Sequence, residues 1–135
     1  METPATLELV PSLRAPRLAR AFIADTLTKW AVDAEDGEAA QLVVSELVTN
    51  AVLHAPSSPI ITLELSMIDE ALRVVVSDRN PEAPHRVQPD PGLSESGRGV
   101  RLVEALSDRW GTEADGPDGK TVWCELSAHP AATKR

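Results

Sequence analysis

The sequence predicts a two-layer α+β fold, in which a mostly antiparallel mixed sheet is covered on one face by three helices. Apolar residues alternate with polar ones along short segments, as in half-buried strands, and recur at helical spacing along three longer segments. Strands that follow one another directly favour hairpins over alternating βαβ units. We expect one domain over residues 1–135, with 12–126 as its core and 127–135 as a loose tail.

The first half of the chain predicts a strand followed by two helices. The strand covers 6–10, and the first helix covers 15–30 with Pro16 near its start, where a missing N–H costs little. A polar break at 33–37 separates it from the second helix, 38–55, which two prolines then end.

The second half predicts a hairpin, a long loop, a helix and two final strands. The hairpin has a tight turn at Asp69-Glu70. The loop, 79–96, contains four prolines, and a loop of this length in a compact domain is usually functional or disordered. The hairpin strands cover 60–68 and 71–77. The helix covers 97–107, and of the two final strands the first starts near 110–112 and the second covers 121–126.

Composition excludes several classes of protein. The net charge of −8 disfavours binding along a nucleic-acid backbone, although one triphosphate needs only a local site. The single cysteine, Cys124, excludes an internal disulfide. No segment reaches the apolar length of a membrane span, and residues 1–11 lack a signal-peptide layout. We therefore expect a cytoplasmic protein with no direct nucleic-acid or membrane partner.

The second helix carries a polar stripe formed by Glu46, Asn50 and His54 at i, i+4 and i+8. Leu42 and Leu53 flank it on one side and a wide apolar arc on the other, so that the stripe is expected between apolar surfaces. Asn offers a neutral oxygen to a hard cation such as Mg²⁺, and Glu suits a general base. Taken alone, the stripe is better explained as a polar seam facing solvent or a neighbouring element.

Two weaker features lie downstream. Gly97 and Gly99 free the backbone at a helix start, where unpaired N–H groups favour an anion, and Arg98 could add a charged donor. Asp78 ends an apolar strand, where its carboxylate could accept a hydrogen bond from an amino group such as that of adenine. Taken alone, the first feature is better explained as an ordinary glycine loop before a helix, and a turn-forming aspartate is a common alternative for the second.

In this order along the chain, the motifs resemble a known family. Residues 44–55, VSELVTNAVLHA, resemble the Asn-bearing helix motif of the GHKL ATPase and histidine-kinase superfamily. Residues 94–111 resemble its glycine motif, and 119–123, GKTVW, its closing strand. Within the superfamily, the chain is most similar to stand-alone anti-sigma-factor serine kinases of the actinobacterial type, over about 12–126. The resemblance implies a Bergerat-type ATP-binding fold.

The resemblance also implies roles for individual residues. Glu46 would activate the attacking hydroxyl or water, Asn50 would ligate Mg²⁺, and 79–96 would form a lid over ATP. His54 would support its neighbours. Asn80 stands where the family usually has glycine, which implies a looser contact with adenine. The implied ATP-binding residues are Asn50, Asp78, Asn80, Gly97, Arg98, Gly99, Val100 and Thr121.

Three functions remain open at this stage. The first is a serine/threonine kinase that phosphorylates a small anti-sigma antagonist, sequesters a sigma factor, or does both. The second is a nucleotide-responsive switch that binds a protein partner without transferring phosphate. A histidine-kinase catalytic domain ranks last. The resemblance also implies a possible homodimer. Arg14, Arg17 and Arg20 could form a partner-binding face, but a solvated basic face explains them better.

Overall fold

The computed structural model describes residues 4–54, 58–79, 97–114 and 119–131. These residues form five strands and three helices, and the predicted α+β class is confirmed. In chain order they are β1 (Ala5–Leu9), α1 (Ala15–Lys29), α2 (Ala34–His54), β2 (Ile61–Ile68), β3 (Ala71–Asp78), α3 (Gly97–Leu106), β4 (Arg109–Ala114) and β5 (Lys120–Ser127).

The described strands form one five-stranded sheet in the order β1-β2-β3-β5-β4. Every neighbouring pair is antiparallel, so the sheet carries none of the parallel pairing that a mixed sheet would contain. The last strand inserts between β3 and β4, which brings residues far apart in sequence side by side.

The core lies between one face of the sheet and the helices. Alternate residues of β2, β3 and β5 point into it, and α1 and α2 supply small and aliphatic side chains. The largest fully buried side chains are those of Ile23, Leu47, Ile61, Leu63, Leu65, Leu72, Leu126, Val43, Val44, Val48, Val74 and Val103. The scarcity of aromatics in the sequence is thus matched by an aliphatic core.

The second helix starts earlier than the sequence predicted. Residues 33–37 were predicted as a polar break, but α2 begins at Ala34 because Asp33 caps it. The Asp33 carboxylate accepts hydrogen bonds from the backbone N–H groups of Glu35 (3.1 Å) and Asp36 (3.3 Å). These satisfy donors that a helix start leaves without partners, so a polar stretch begins the helix here.

The residues that follow β5 are hydrogen-bonded to the β2–β3 turn, to the segment after α1 and to the start of α2. The backbone N–H of Ala128 donates to the carbonyl of Glu70, and that of Ala131 donates to the carbonyl of Ala31 at 2.7 Å. His129 contacts Asp36, described below. Part of the segment predicted as a loose tail, residues 128–131, is therefore hydrogen-bonded to the body of the domain.

Candidate functional site

The start of α2 and the start of β3 lie at the same end of the molecule. The start of α2 is fixed beside the β2–β3 turn, because His129 contacts Asp36 of α2 and its Nε2 lies 4.0 Å from Glu70. From there α2 packs across β3. At 1.5 Å per helical residue, Asn50 lies roughly 21 Å along α2 from Asp36. At 3.3 Å per strand residue, Asp78 lies roughly 26 Å along β3 from Glu70.

The end of α3 lies near the start of β4. The backbone N–H of Asp108, just after α3, donates to the carbonyl of Glu125 at 2.8 Å, which places the end of α3 near the start of β4. From there β4 runs back to Ala114, opposite Lys120. The helix α3, which begins at Gly97, packs against both α2 and β4.

The three residues of the predicted stripe on α2 differ in their exposure to solvent. Glu46 is half-buried, Asn50 is 8% exposed, and His54 is exposed at the last turn. The stripe was expected between two apolar surfaces, but Leu42 and Leu53 are 52% and 63% exposed, so only one side is core. The Asn50 Nδ2 atom is buried and makes no hydrogen bond within the described part of the chain.

The backbone around Asp78 is held by two residues that are not its neighbours in sequence. Asp78 is 7% exposed. The Ser58 hydroxyl donates to the carbonyl of Ile60 (2.6 Å) and accepts from the backbone N–H of Arg79 (2.9 Å). Gly119 approaches so closely that a Cβ there would collide with the carbonyl oxygen of Asp78. Sequence reasoning missed Ser58, since a serine between prolines indicates only a turn.

The register of β3 with β5 places Thr121 and Asp78, both predicted to contact adenine, on opposite faces of the sheet. Thr121 pairs with Ser77, and their hydroxyl oxygens lie 3.0 Å apart, on the face away from the helices. Asp78 pairs instead with Lys120, and paired residues share a face, so Lys120 lies on the side of Asp78. The adenine contact of Thr121 stays a prediction, and this orientation does not support it. Lys120 is a candidate that sequence reasoning missed.

One of the three arginines at the start of α1 and along it, Arg20, belongs to the helix interface. Arg20 Nη1 donates to Ser45 Oγ at 2.8 Å, and both groups are partly buried. Arg20 therefore joins α1 to α2 one residue before Glu46, whereas Arg14 and Arg17 are exposed. A solvated basic face remains the better description of those two alone.

The described side chains do not form a metal site by themselves. Within residues 4–54, 58–79, 97–114 and 119–131 there is no group of three or more His, Cys, Asp or Glu side chains that could hold a metal ion. Mg²⁺ commonly takes one or two protein ligands together with phosphate oxygens and water. The buried amide of Asn50, which can present its oxygen or its N–H, fits that kind of shared coordination.

The single thiol is no candidate nucleophile. Cys124 is buried in the sheet, and this burial raises its pKa to about 12. A thiol with such a pKa stays protonated near neutral pH.

Several predicted residues lie beyond what the structure describes. Asn80 and almost all of the predicted lid, 79–96, fall outside the described residues. For Gly97, Arg98, Gly99 and Val100 the structure gives the helical backbone only. Across the described residues, no helix combines the length and the apolarity needed to cross a bilayer.

Residues 9–126 match the family described as histidine kinase-like ATPase domains. An uncharacterised protein from Streptomyces coelicolor is 33% identical over 89 residues, which cover 64% of this chain and 84% of that protein. The aligned region therefore covers most of that protein, which is itself small.

Two solved structures share the fold at lower sequence identity. The RsbU and RsbW domains of Rv1364c from Mycobacterium tuberculosis superpose with a TM-score of 0.74 at 22% identity, over 99% of this chain and 35% of that one. Full-length ShkA in complex with AMPPNP gives 0.53 at 20% identity, over 97% of this chain and 32% of that one. The chain thus spans about a third of each of these larger chains.

Proposed function

Because the chain belongs to the histidine kinase-like ATPase family, we propose that it binds ATP with Mg²⁺ where α2, β3 and α3 converge. The observation that carries this proposal is the buried Asn50 Nδ2, which has no hydrogen-bond partner within the described residues. Leaving a buried polar group without a partner costs about 1–3 kcal/mol. A phosphate oxygen that accepts a hydrogen bond from Asn50 Nδ2 would remove that cost.

The chain's own residues suit the parts of a nucleotide. The buried carboxylate of Asp78 can accept a hydrogen bond from the adenine amino group, and Ser58 and Gly119 hold its backbone in place. The N-terminal turn of α3, with Gly97 and Gly99, offers backbone N–H groups and a positive dipole end to phosphates. Mg²⁺ held by Asn50 would withdraw charge from the transferred phosphoryl group when bound.

We further propose that the chain is a serine/threonine kinase acting on a protein. Glu46 lies one helical turn, about 6 Å, from Asn50 and is half-buried, so its carboxylate can reach both the phosphate site and solvent. It would accept the proton of a serine or threonine hydroxyl as the oxygen attacks the γ-phosphate. Leu42 and Leu53, exposed on the same side of α2, favour a protein acceptor because they offer apolar contact around Glu46.

The likeness to a chain with RsbU and RsbW domains supports a regulatory role of the kind that the sequence predicted. In this proposal the substrate is a small anti-sigma antagonist, a sigma factor is the sequestered partner, or both, and the outcome is control of transcription in the cytoplasm. A switch that binds ATP and a partner without transferring phosphate is the second candidate, since it needs every residue above except Glu46.

Nucleotide binding is tested by Asn50→Ala. We expect Mg²⁺-dependent ATP affinity, measured by calorimetry, to fall about tenfold or more, which corresponds to ~1.4 kcal/mol. Thr49→Ala, one residue away and half-buried, is the matched control and should keep the parent affinity. Equal affinity in the Asn50 variant and the parent would refute the role of Asn50 in metal or phosphate binding.

Phosphoryl transfer is tested by Glu46→Gln. We expect this variant to bind ATP like the parent and to label its co-purifying protein partners from γ-labelled ATP about 100-fold more slowly. If parent and variant label a serine or threonine at the same rate, Glu46 is not the base. If the parent labels nothing while ATP changes which proteins it retains, the switch replaces the kinase.

A further inference from the structure

One row of side chains on the helix-facing side of the sheet changes from apolar to charged as it crosses the strands. Strand register places Leu9, Ile61, Asp78 and Lys120 side by side in this row, one on each of β1, β2, β3 and β5. Leu9 and Ile61 are buried in the core, and Asp78 is only 7% exposed. Lys120 is half-buried, so the row reaches solvent at the lysine. An acid and a lysine therefore stand together at the rim of the core.

The backbone sets the position of these two residues relative to each other. Asp78 and Lys120 are direct partners in the antiparallel pairing of β3 with β5. The Cβ atoms of such partners lie about 4.5–5.5 Å apart. Gly119 holds the two strand ends together, because it lies against the Asp78 carbonyl more closely than any side chain would allow. The flexible four-carbon stem of Lys120 then lets its ammonium group reach the carboxylate, or a group that the carboxylate binds.

The two groups have opposite roles in hydrogen bonding. An ionised carboxylate only accepts hydrogen bonds, and an ammonium group only donates them. On adenine the 6-amino group donates, and the adjacent ring nitrogen N1 accepts. On guanine both positions are reversed, because O6 accepts and the N1–H group donates. An acid beside a lysine therefore matches adenine at two neighbouring positions and opposes guanine at the same two positions.

We propose that Lys120 determines which base the nucleotide site accepts, by donating a hydrogen bond to adenine N1 while Asp78 accepts one from the adenine amino group. This inference rests on the proposed ATP site, and it assigns the choice of base to a residue of β5 beside Asp78. Guanine would bring its O6 against the carboxylate and its N1–H against the ammonium group, so that both protein groups would lose their partners. A site of this kind discriminates strongly, because the unpaired groups set the cost.

A simpler role for Lys120 is that of an ion-pair partner for Asp78 and nothing more. In that role the ammonium group would only compensate a carboxylate that is largely removed from water, and its loss would weaken the binding of every nucleotide alike. In the specificity role, its loss matters only for a base that carries an acceptor at N1. The affinity for ATP by itself does not distinguish the two roles, whereas a nucleotide altered at N1 alone does.

The test is a double-mutant cycle between Lys120 and N1 of the base. Calorimetry compares ATP with 1-deaza-ATP, in which a C–H group replaces N1 and the 6-amino group is kept. We expect the full chain to prefer ATP about tenfold or more, because the deaza compound leaves the ammonium group without its acceptor. In Lys120→Met, an apolar side chain of similar length, this preference should fall to about one, and the preference for ATP over GTP should fall with it.

Lys29→Met is the matched control for this substitution. It removes the same charge from an exposed lysine on α1, which is ion-paired with Asp25. This variant should keep the parent's preference for ATP over both 1-deaza-ATP and GTP. Circular dichroism melting of the two variants checks that each is folded.

The outcomes separate this inference from the ATP site on which it rests. A parent that binds ATP and 1-deaza-ATP equally overturns the role of Lys120, and this result does not depend on the folding of any variant. If Lys120→Met binds both nucleotides more weakly at an unchanged ratio, Lys120 is only an ion-pair partner and the inference is wrong. A parent that binds neither nucleotide refutes the ATP site itself.

Discussion

The residue on which the candidate site depends most closely has no side chain. Gly119 lies against the carbonyl oxygen of Asp78, so any Cβ there must push apart the ends of β3 and β5. We expect Gly119→Ala to lower the free energy of unfolding by about 1–3 kcal/mol, as overpacking does, and to weaken ATP binding. Urea unfolding and calorimetry measure the two effects.

Gly37 provides the matched control for this substitution. It is also buried, but it lies within α2, and a Cβ there would meet only the Leu27 side chain at 4.0 Å, an ordinary contact. Alanine favours a helix interior over glycine, so Gly37→Ala should raise the free energy of unfolding by about 0.5–1 kcal/mol. Should both substitutions stabilise the protein, the close approach at Gly119 is not a constraint.

At this scale, residue type was predictable from the sequence and side-chain orientation was not. Asn50 and Asp78 were selected as polar residues on otherwise apolar elements, and both are buried in the structure. Thr121 and Lys120 exchange faces if the register of β5 slips by one residue, and sequence alone does not fix that register. Ser58 accepts a hydrogen bond from Arg79, just after β3, and only the folded chain brings these two residues together.

Among the elements, α1 ends in a conformation that its sequence does not favour. The N–H of Ala31 donates to the carbonyl of Thr28, and the N–H of Val32 donates to that of Leu27, the pair of bonds that closes a Schellman motif. Ala31 occupies the left-handed position of this motif with φ of 58°, where glycine is preferred.

Ala31→Gly should therefore stabilise the protein. Relief of the left-handed strain outweighs the extra freedom of glycine in the unfolded chain, and we expect the free energy of unfolding to rise by about 0.5–1 kcal/mol. The control is Ala34→Gly, the first residue of α2, where the backbone is helical and the same substitution should destabilise. Thermal unfolding of the two variants should move in opposite directions, and a downward shift for both contradicts the strain argument.

Element type was predictable from periodicity, whereas one boundary was not. Both helices of the first half and both hairpin strands lie where apolar spacing indicated them. The start of α2 was missed because acidic residues in its first turn resemble a loop by composition, while in the structure Asp33 accepts hydrogen bonds from that turn. Capping geometry, unlike an apolar face, leaves a signal of only one or two residues.

The whole molecule is tied together at the end opposite the candidate site. His129 Nδ1 lies 2.9 Å from Asp36 Oδ2, and the hydrogen bond and charge of Asp36, with smaller contributions from Glu70 and Asp33, raise the pKa of this exposed imidazole. The raised pKa stabilises the folded state below the ordinary histidine pKa of about 6.5, and the contribution is lost as pH rises through the folded pKa.

Titration by NMR should show this directly. The His129 ring should titrate above about 6.5, and Asp36→Asn should bring its pKa down toward that value. A His129 pKa that is the same in both proteins would mean that Asp36 does not hold the charged ring in solution.

The fold of the molecule was predictable further than its site. Alternation and helical spacing predict layers and hairpins, and the motifs fix which helix bears Asn50. The pairing of β3 with β5 could not be obtained in the same way, because nothing local specifies which strands meet across a long intervening segment. The sequence grouped the candidate residues through resemblance, and the sheet order then explains why Asp78 and Gly119 are adjacent.

That sheet order also sets when the candidate site can form. The β2–β3 hairpin needs only a two-residue turn, but β3 and β5 close a loop that contains α3 and β4, and such non-local pairing is slow to form. Asp78 therefore gains its neighbour Gly119 only once this loop has closed. A nucleotide that recognises the finished site would bind only fully folded molecules and, by mass action, would hold the last strand in place.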